Sequence, residues 1–253
     1  MGIDGTIYNL VPASGRAWDS GGGAFGAKSK LNPKDEILKD MNSHDISIMS
    51  INDGKSSLTT EQISANLALT KHLISTHHIP KENVVALGDW AVGRHIAPGP
   101  YFPWEEFAQK EMGRWPKDDS WKTGSEEVVV SYKNPKKAVT EELDHLQQLT
   151  AELSQKYITI AEAAIEKLGY VGKAREVEKD IEGCFGSATL SANLAFQLHY
   201  RGDKILGTPL LKKAYDETLW KDINDHGAIV DLAGDFTTFD LKLLGTLVDG
   251  SYE

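Results

Sequence analysis

Two hydrophobic rhythms divide this chain, and each permits a different kind of fold. Up to about residue 112 the apolar residues come in short runs separated by glycine and proline, whereas from Thr140 onward they recur at helical spacing. Ile46-Ser47-Ile48-Met49-Ser50-Ile51 alternates apolar and polar residues, which predicts a strand. Thr6–Val11, after the turn-forming Asp4-Gly5 and before Pro12, predicts another, and Val84–Leu87 a third, shorter one. Between the last two, Thr59 or Thr60 can cap a helix with an apolar stripe of Ile63, Leu67, Thr70 and Ile74, flanked by Leu69 and Leu73 and stopped by Pro80. Residues 13–44 read as a long loop, because Gly21-Gly22-Gly23 is too flexible for the interior of an element. The turn Ala97-Pro98-Gly99-Pro100 precedes a short helix opened by Trp104.

Residues 113–137 carry Pro116, Gly124 and Pro135 among scattered charges and predict a linker around one strand-like run, Val128–Val130. Thr140-Glu141-Glu142-Leu143 can cap a helix with a stripe of Leu143, Leu146, Leu149 and Leu153. Helical patterning continues through Ala161–Leu168, Ala188–Tyr200 and Leu210–Ile223, and the tail is broken by Gly234 and Gly245. The expected organisation is an α/β domain over 1–112, a mixed sheet with flanking helices, then the linker 113–137. A small all-α three-helix domain follows over 138–253, with the role of its tail left open.

The 253 residues suffice for one large domain or two modest ones, with an ordinary globular content of 40% hydrophobic and 25% charged residues. A net charge of −10 offers no basic face for nucleic acid or an anionic membrane, and leaves a sugar or peptide ligand open. The single Cys184 excludes an intrachain disulfide. No run approaches the roughly 20 apolar residues of a membrane span. Met1–Gly5 has no basic or apolar leader pattern, which predicts a cytoplasmic chain as it stands, or a periplasmic or secreted one if its start is truncated.

The segment Val84–Trp104 contains Gly93-Arg94, Pro98-Gly99-Pro100 and Phe102-Pro103-Trp104 in order. It resembles the last active-site loop of the zinc-dependent N-acetylmuramoyl-L-alanine amidases, the family related to bacteriophage lysozymes and peptidoglycan recognition proteins. Asp4–Pro12 followed by Arg16-Ala17-Trp18 resembles that family's second strand and the loop after it, and Leu58–Gln62 the start of its main helix. Four motifs in register over residues 3–108 are far more specific than any one alone. More weakly, Ile165–Tyr170, Ala195–Arg201 and Lys204–Pro209 resemble the three-helix peptidoglycan-binding domain that follows some of these amidases.

The resemblance implies a zinc held by three protein ligands, with a water in the fourth position activated by the metal and a nearby carboxylate base. The first ligand would lie on a strand ahead of residue 1, so that an exposed sheet edge would be left for a second chain to complete. The other ligand positions fall at Leu87 and Ala97, and the general base at Met49. None of these three side chains offers an imidazole or a carboxylate. His95 stands where many members have a lysine, and Asp19 where a histidine follows the loop tryptophan. The remaining candidates for catalysis are His95 and Asp89, with Asp19 a third member of a conceivable rewired metal site. Asp89 also fits a turn-stabilising role, and His77-His78 a solvated helix end.

Trp18, Asp19, Arg94 and Tyr101 are the candidate ligand-binding residues, with Arg94 equally suited to a peptide carboxylate or a structural ion pair. Trp104 and Phe102 are expected in the core, closing the sheet. Three functions stay open at this point. One is an inactive amidase relative that binds peptidoglycan or muropeptides and holds no zinc. The second is an active amidase with a rewired or partner-completed zinc site, and the third an interaction module that keeps only the fold.

Overall fold

The computed structural model describes residues 1–25, 38–54, 56–92, 95–130, 187–202 and 236–248. The expected helices over 140–168 and 210–223, Cys184, Arg94 and Gly234 lie outside the described residues.

Two small antiparallel sheets replace the expected single mixed sheet among the described residues. Strand β1 (Gly22–Phe25) pairs with β2 (Leu38–Asp40), and β3 (Val128–Val130) with β4 (Phe236–Thr237). The glycine run expected to be loop thus forms a strand. Its conformation is set by the partner segment and by Asn42, whose side-chain oxygen accepts from the backbone N–H groups of Ser20 and Gly21 at 3.0 and 3.3 Å. Val128–Val130 forms a strand as expected.

Thr6–Val11, Ile46–Ile51 and Val84–Leu87, expected as strands, join no ladder, and Leu87 instead opens a helix. Ile46–Ile51 nevertheless keeps a period of two, with Ile46, Ile48 and Ser50 half-buried and Ser47, Met49 and Ile51 exposed. Beside it, Met1 donates to the Met49 carbonyl at 2.6 Å and accepts from the Ile51 N–H at 3.0 Å. One residue bonded to both neighbours of a facing residue is the pattern of a parallel strand pair.

Helix α1 (Thr60–His77) begins at a capping box in which the Thr59 hydroxyl accepts from Gln62 N–H and the Gln62 side chain accepts from Thr59 N–H. It ends at His78, in the left-handed conformation (φ 54°), two residues before Pro80. Its buried face is Gln62, Asn66 and Thr70, while Ile63, Leu67, Leu69, Leu73 and Ile74 are only half-buried. Hydrogen bonds explain this inversion of the expected stripe. The Gln62 side chain donates to the Ile51 carbonyl at 2.8 Å and that of Asn66 to the Ser50 hydroxyl at 2.8 Å. A buried amide retains its place only when so satisfied. Gly5 (φ +79°) lies so close that a Cβ there would meet the Glu61 carbonyl at 2.8 Å. On the preceding turn, the Thr6 backbone N–H and hydroxyl hold the Asp4 carboxyl below its ordinary range.

Helices α2 (Leu87–Trp90), α3 (Trp104–Ala108), α4 (Ser187–Tyr200) and α5 (Thr238–Val248) complete the described helices of four residues or more. The main core lies between α4 and α5, where Phe196, Leu243, Leu244 and Leu247 are almost fully buried with Val92, Trp121 and Tyr200. Trp115, Phe239 and Leu241 pack against them. A second cluster joins Met41, Trp90 and Ala91, with Val85 and Leu87 packed on it. Gly245, expected to break the tail, sits inside α5. Burying three leucines of that helix outweighs the roughly 1 kcal/mol that a mid-helix glycine costs.

The core also holds one charged knot. Arg201 donates to Asp240 at 2.7 Å and to Glu126 at 3.0 Å, with its guanidinium 5.1 Å above the Trp121 ring. Asp240 in turn accepts from the Thr237 N–H at 2.8 Å and so closes the first turn of α5. Asp240→Ala should lower unfolding stability by about 3 kcal/mol, because a buried guanidinium loses its better partner, as measured by urea denaturation. In the opposite direction, a Cβ at Gly245 meets nothing within 4 Å. Gly245→Ala should therefore raise stability by about 0.5–1 kcal/mol in the same measurement.

Candidate functional site

Helix α2 and the loop that returns over it form the centre of the region to which the sequence motifs point. Asp89 anchors the helix: its carboxylate accepts from the Ala86 N–H at 2.8 Å and satisfies a donor at the start of α2. The role anticipated for Asp89, stabilising its own turn, is the one the structure gives it. The same carboxylate oxygen lies 2.8 Å from Nδ1 of His199 on α4. An ionised carboxylate only accepts, so Nδ1 carries the proton and donates. Both side chains are buried.

The His199 ring is sandwiched. It stacks on Trp104 at 4.0 Å between centroids and 16° between planes, and on Tyr200 at 4.3 Å and 24°. Among the described residues, its buried Nε2 has no hydrogen-bond partner. Trp104 and Phe102 pack 4.5 Å apart, so Trp104 is a core residue as expected, but it closes on α4 and on Phe102 rather than on a sheet. No local sequence signal marks His199. It stands on an apolar helix, and its carboxylate partner is 110 residues away.

The returning loop is fastened to α2 by backbone contacts. Gly88 N–H donates to the Ala97 carbonyl at 2.8 Å, and His95 N–H to the Ala91 carbonyl at 3.1 Å. A Cβ on Gly88 would stand 3.2 Å from the carbonyls of both His95 and Ala97, which favours glycine at this position. The Ala97–Pro98 bond is cis. At the positions where the family pattern places metal ligands, the Leu87 side chain packs on the Met41–Trp90–Ala91 cluster, and the Ala97 carbonyl is occupied by Gly88. Met49, at the position of the base, is 73% exposed.

The structure brings the Trp18–Ser20 loop beside α2, because Trp90 Nε1 donates to the Ser20 carbonyl at 3.2 Å. The Ser20 hydroxyl donates to Asp45, and Ser47 to the same carboxylate oxygen at 3.0 Å. Trp18 is 79% exposed, with the Arg16 guanidinium 4.0 Å from the centre of its ring. Arg16 is itself oriented by both oxygens of Asp40 at 3.0 and 3.1 Å. A flat aromatic surface, held by a cation at neighbouring residues and open to solvent, suits stacking on a sugar or peptide. Asp19 is exposed beside it, and Tyr101 is half-buried at the end of the returning loop. Arg94 lies outside the described residues. Among the described residues no three His, Cys, Asp or Glu side chains gather as a metal-ligand set, so Asp19, Asp89 and His95 do not converge. His72, His77 and His78 are exposed along and beyond the end of α1, and His44 is exposed as well.

Residues 1–100 match the family described as N-acetylmuramoyl-L-alanine amidase. The chain is similar to the N-acetylmuramoyl-L-alanine amidase AmiD of Escherichia coli (strain K12), 36% identical over 119 residues, which are 44% of this chain and 40% of the relative. It is also similar to the putative N-acetylmuramoyl-L-alanine amidase RC0497 of Rickettsia conorii, 39% identical over 83 residues and 30% of either chain. The matched stretches thus span less than half the length of both relatives.

Among solved structures, AmiD from E. coli in complex with anhydro-N-acetylmuramic acid-L-Ala-D-gamma-Glu-L-Lys superimposes with a TM-score of 0.56 at 22% identity, covering 97% of this chain and 73% of that one. AmpDH3 from Pseudomonas aeruginosa in complex with anhydromuramic pentapeptide gives 0.56 at 19% identity with the same coverage. At these identities the likeness shows a shared fold. The match over residues 1–100 relates that part of the chain to the N-acetylmuramoyl-L-alanine amidases.

Proposed function

We propose that this chain is an amidase relative that binds muropeptides and has lost zinc-dependent hydrolysis. The observation that carries the reading is the chemistry of the side chains at the motif positions. A catalytic zinc needs three protein ligands and a free position for water, with a base to take the proton. Leu87, Ala97 and Met49 supply neither imidazole nor carboxylate. The surroundings suit the residues present: Leu87 adds to an apolar cluster, and the Ala97 carbonyl is held by Gly88.

Asp89 is no ready substitute. One of its carboxylate oxygens serves the Ala86 N–H and His199, the other is buried, and among the described residues no two further His, Cys, Asp or Glu side chains gather beside it as a ligand set. The residues present therefore do not fit the family's zinc.

The binding half of the reading rests on the Trp18 platform. Arg16 covers its ring at 4.0 Å, and Trp90 ties Ser20, two residues on, to α2. Asp19 and Tyr101 would add polar groups, and Arg94 a cation for a stem-peptide carboxylate. AmiD and AmpDH3 hold muramyl peptides in their complexes, and a muropeptide is the ligand we assign here.

The deciding experiment loads the chain with zinc, measures bound metal by elemental analysis and assays release of peptide from a muropeptide. Substoichiometric zinc and no release are expected, with binding of the intact muropeptide seen by calorimetry. Stoichiometric zinc together with release would overturn the inactive reading. Trp18→Ala should weaken muropeptide binding about tenfold, roughly 1.4 kcal/mol, with no change in melting temperature because Trp18 is exposed. Unchanged affinity would remove Trp18 from the binding surface.

A further inference from the structure

Helix α2 is too short to hold itself. Leu87–Trp90 closes barely one turn, and a single turn is unstable without outside contacts. Support comes from α4, which packs on it. The Asp89 carboxylate meets the His199 ring at 2.8 Å, with both side chains almost fully buried. At the end of α4, Gly202 approaches the returning loop so closely that a Cβ there would stand 2.6 Å from the Pro100 carbonyl. The end of α4 is thus fitted to the α2 region at both His199 and Gly202.

What α2 supports in turn is the Trp18 platform. Trp90, the residue after Asp89, donates its indole N–H to the Ser20 carbonyl at 3.2 Å. Trp18 is exposed, so burial does not place its ring. Its place follows from the anchored backbone at Ser20 and from the Arg16 guanidinium over the ring.

We propose that His199 is a positioning residue for this platform. By holding Asp89 it fixes the orientation of α2, so that Trp90 keeps Ser20, and with it Trp18, in the geometry that meets a muropeptide. The ligand in this inference rests on the function proposed above, whereas the link from His199 to Ser20 does not. The ring suits the task. Nδ1 donates to Asp89, and stacking on Trp104 and Tyr200 keeps the ring from turning away. Among the described residues Nε2 makes no hydrogen bond, so the bond to Asp89 can be removed by itself. His199→Phe keeps an aromatic ring in the stack and takes away the donor. His199→Asn offers Asp89 an amide N–H near the place of Nδ1 and gives up the stack. Asn42 holds the Ser20 and Gly21 N–H groups from the other side, so loss of the His199 bond loosens the platform without releasing it.

Exchange of the Trp90 indole N–H, followed by NMR on the full chain, tests the link without a ligand. His199→Phe should speed it about tenfold while the amides of α5 keep their wild-type rates, and His199→Asn should restore much of the protection. In calorimetry with a muropeptide, His199→Phe should weaken binding about fivefold. That loss should vanish in a Trp18→Ala chain, because a residue that acts through Trp18 then has nothing left to act on. A merely structural histidine would cost the same in both backgrounds. Trp90→Phe removes the next link, leaves α4 untouched and should weaken binding as much, which keeps the test decisive should His199→Phe fail to fold. Unchanged indole exchange in His199→Phe overturns the proposal, as does a binding loss of equal size with and without Trp18, or wild-type affinity in Trp90→Phe. A wild-type chain that binds no muropeptide overturns the function proposed above, while faster indole exchange in His199→Phe would still support the link.

Discussion

The carboxylate of Asp89 holds the two ends of the described chain in one structure. Through one oxygen it closes the start of α2 at Ala86, and through the same oxygen it orients His199 on α4. The imidazole stacks on two aromatic rings. Trp104 stacks on one neighbouring ring plane, Phe102 and Phe107 pack behind Trp104, and Tyr200 continues the stack toward the α4–α5 core. A buried carboxylate is tolerable only when its charge meets donors, and here a backbone N–H and a ring N–H supply them. The aromatic stack then excludes water and strengthens both bonds.

This arrangement explains how the α2 loop keeps its shape with apolar residues at the motif positions. The turn is built from backbone bonds of Gly88 and His95, from the Asp89 cap and from packing of Trp90 and Leu87 on Met41. None of those contacts calls for a metal ligand at position 87 or 97. Architecture and chemistry are therefore separable in this region. The loop holds its shape through contacts that involve no reactive side chain at either position, which is why a shared fold leaves function to be argued from the site.

Features fixed by neighbours in sequence were legible in it. A threonine cap at 59 or 60, the end of α1 before Pro80, the Asp89 turn, Trp104 opening α3 and Val128–Val130 as a strand are all set within a few residues. Features fixed by distant partners were not. Glycines at 22 and 23 form a strand because Leu38–Asp40 and Asn42 receive them. The inward face of α1 is Gln62, Asn66 and Thr70 because residues 50 and 51 offer matching acceptors, so hydrogen bonding overrode the apolar stripe. Of the candidate site, the turn-stabilising role of Asp89 was legible from its neighbours. His199 was invisible, since a histidine on an apolar helix acquires meaning only once its carboxylate is known.

The same distinction governs what the exposed strip Thr6–Val11 means. Alternating β-prone residues between a turn and a proline predict a strand, and a strand is stable only with a neighbour to accept its backbone bonds. Within the described residues the nearest candidate, Ile46–Ile51, spends its bonding on Met1 and turns its half-buried side toward α1, where Ser50 meets Asn66. Met49 and Ile51 on its other side stay open and enlarge the strip instead of covering it. Local propensity and global packing are thus in conflict at one place in the molecule.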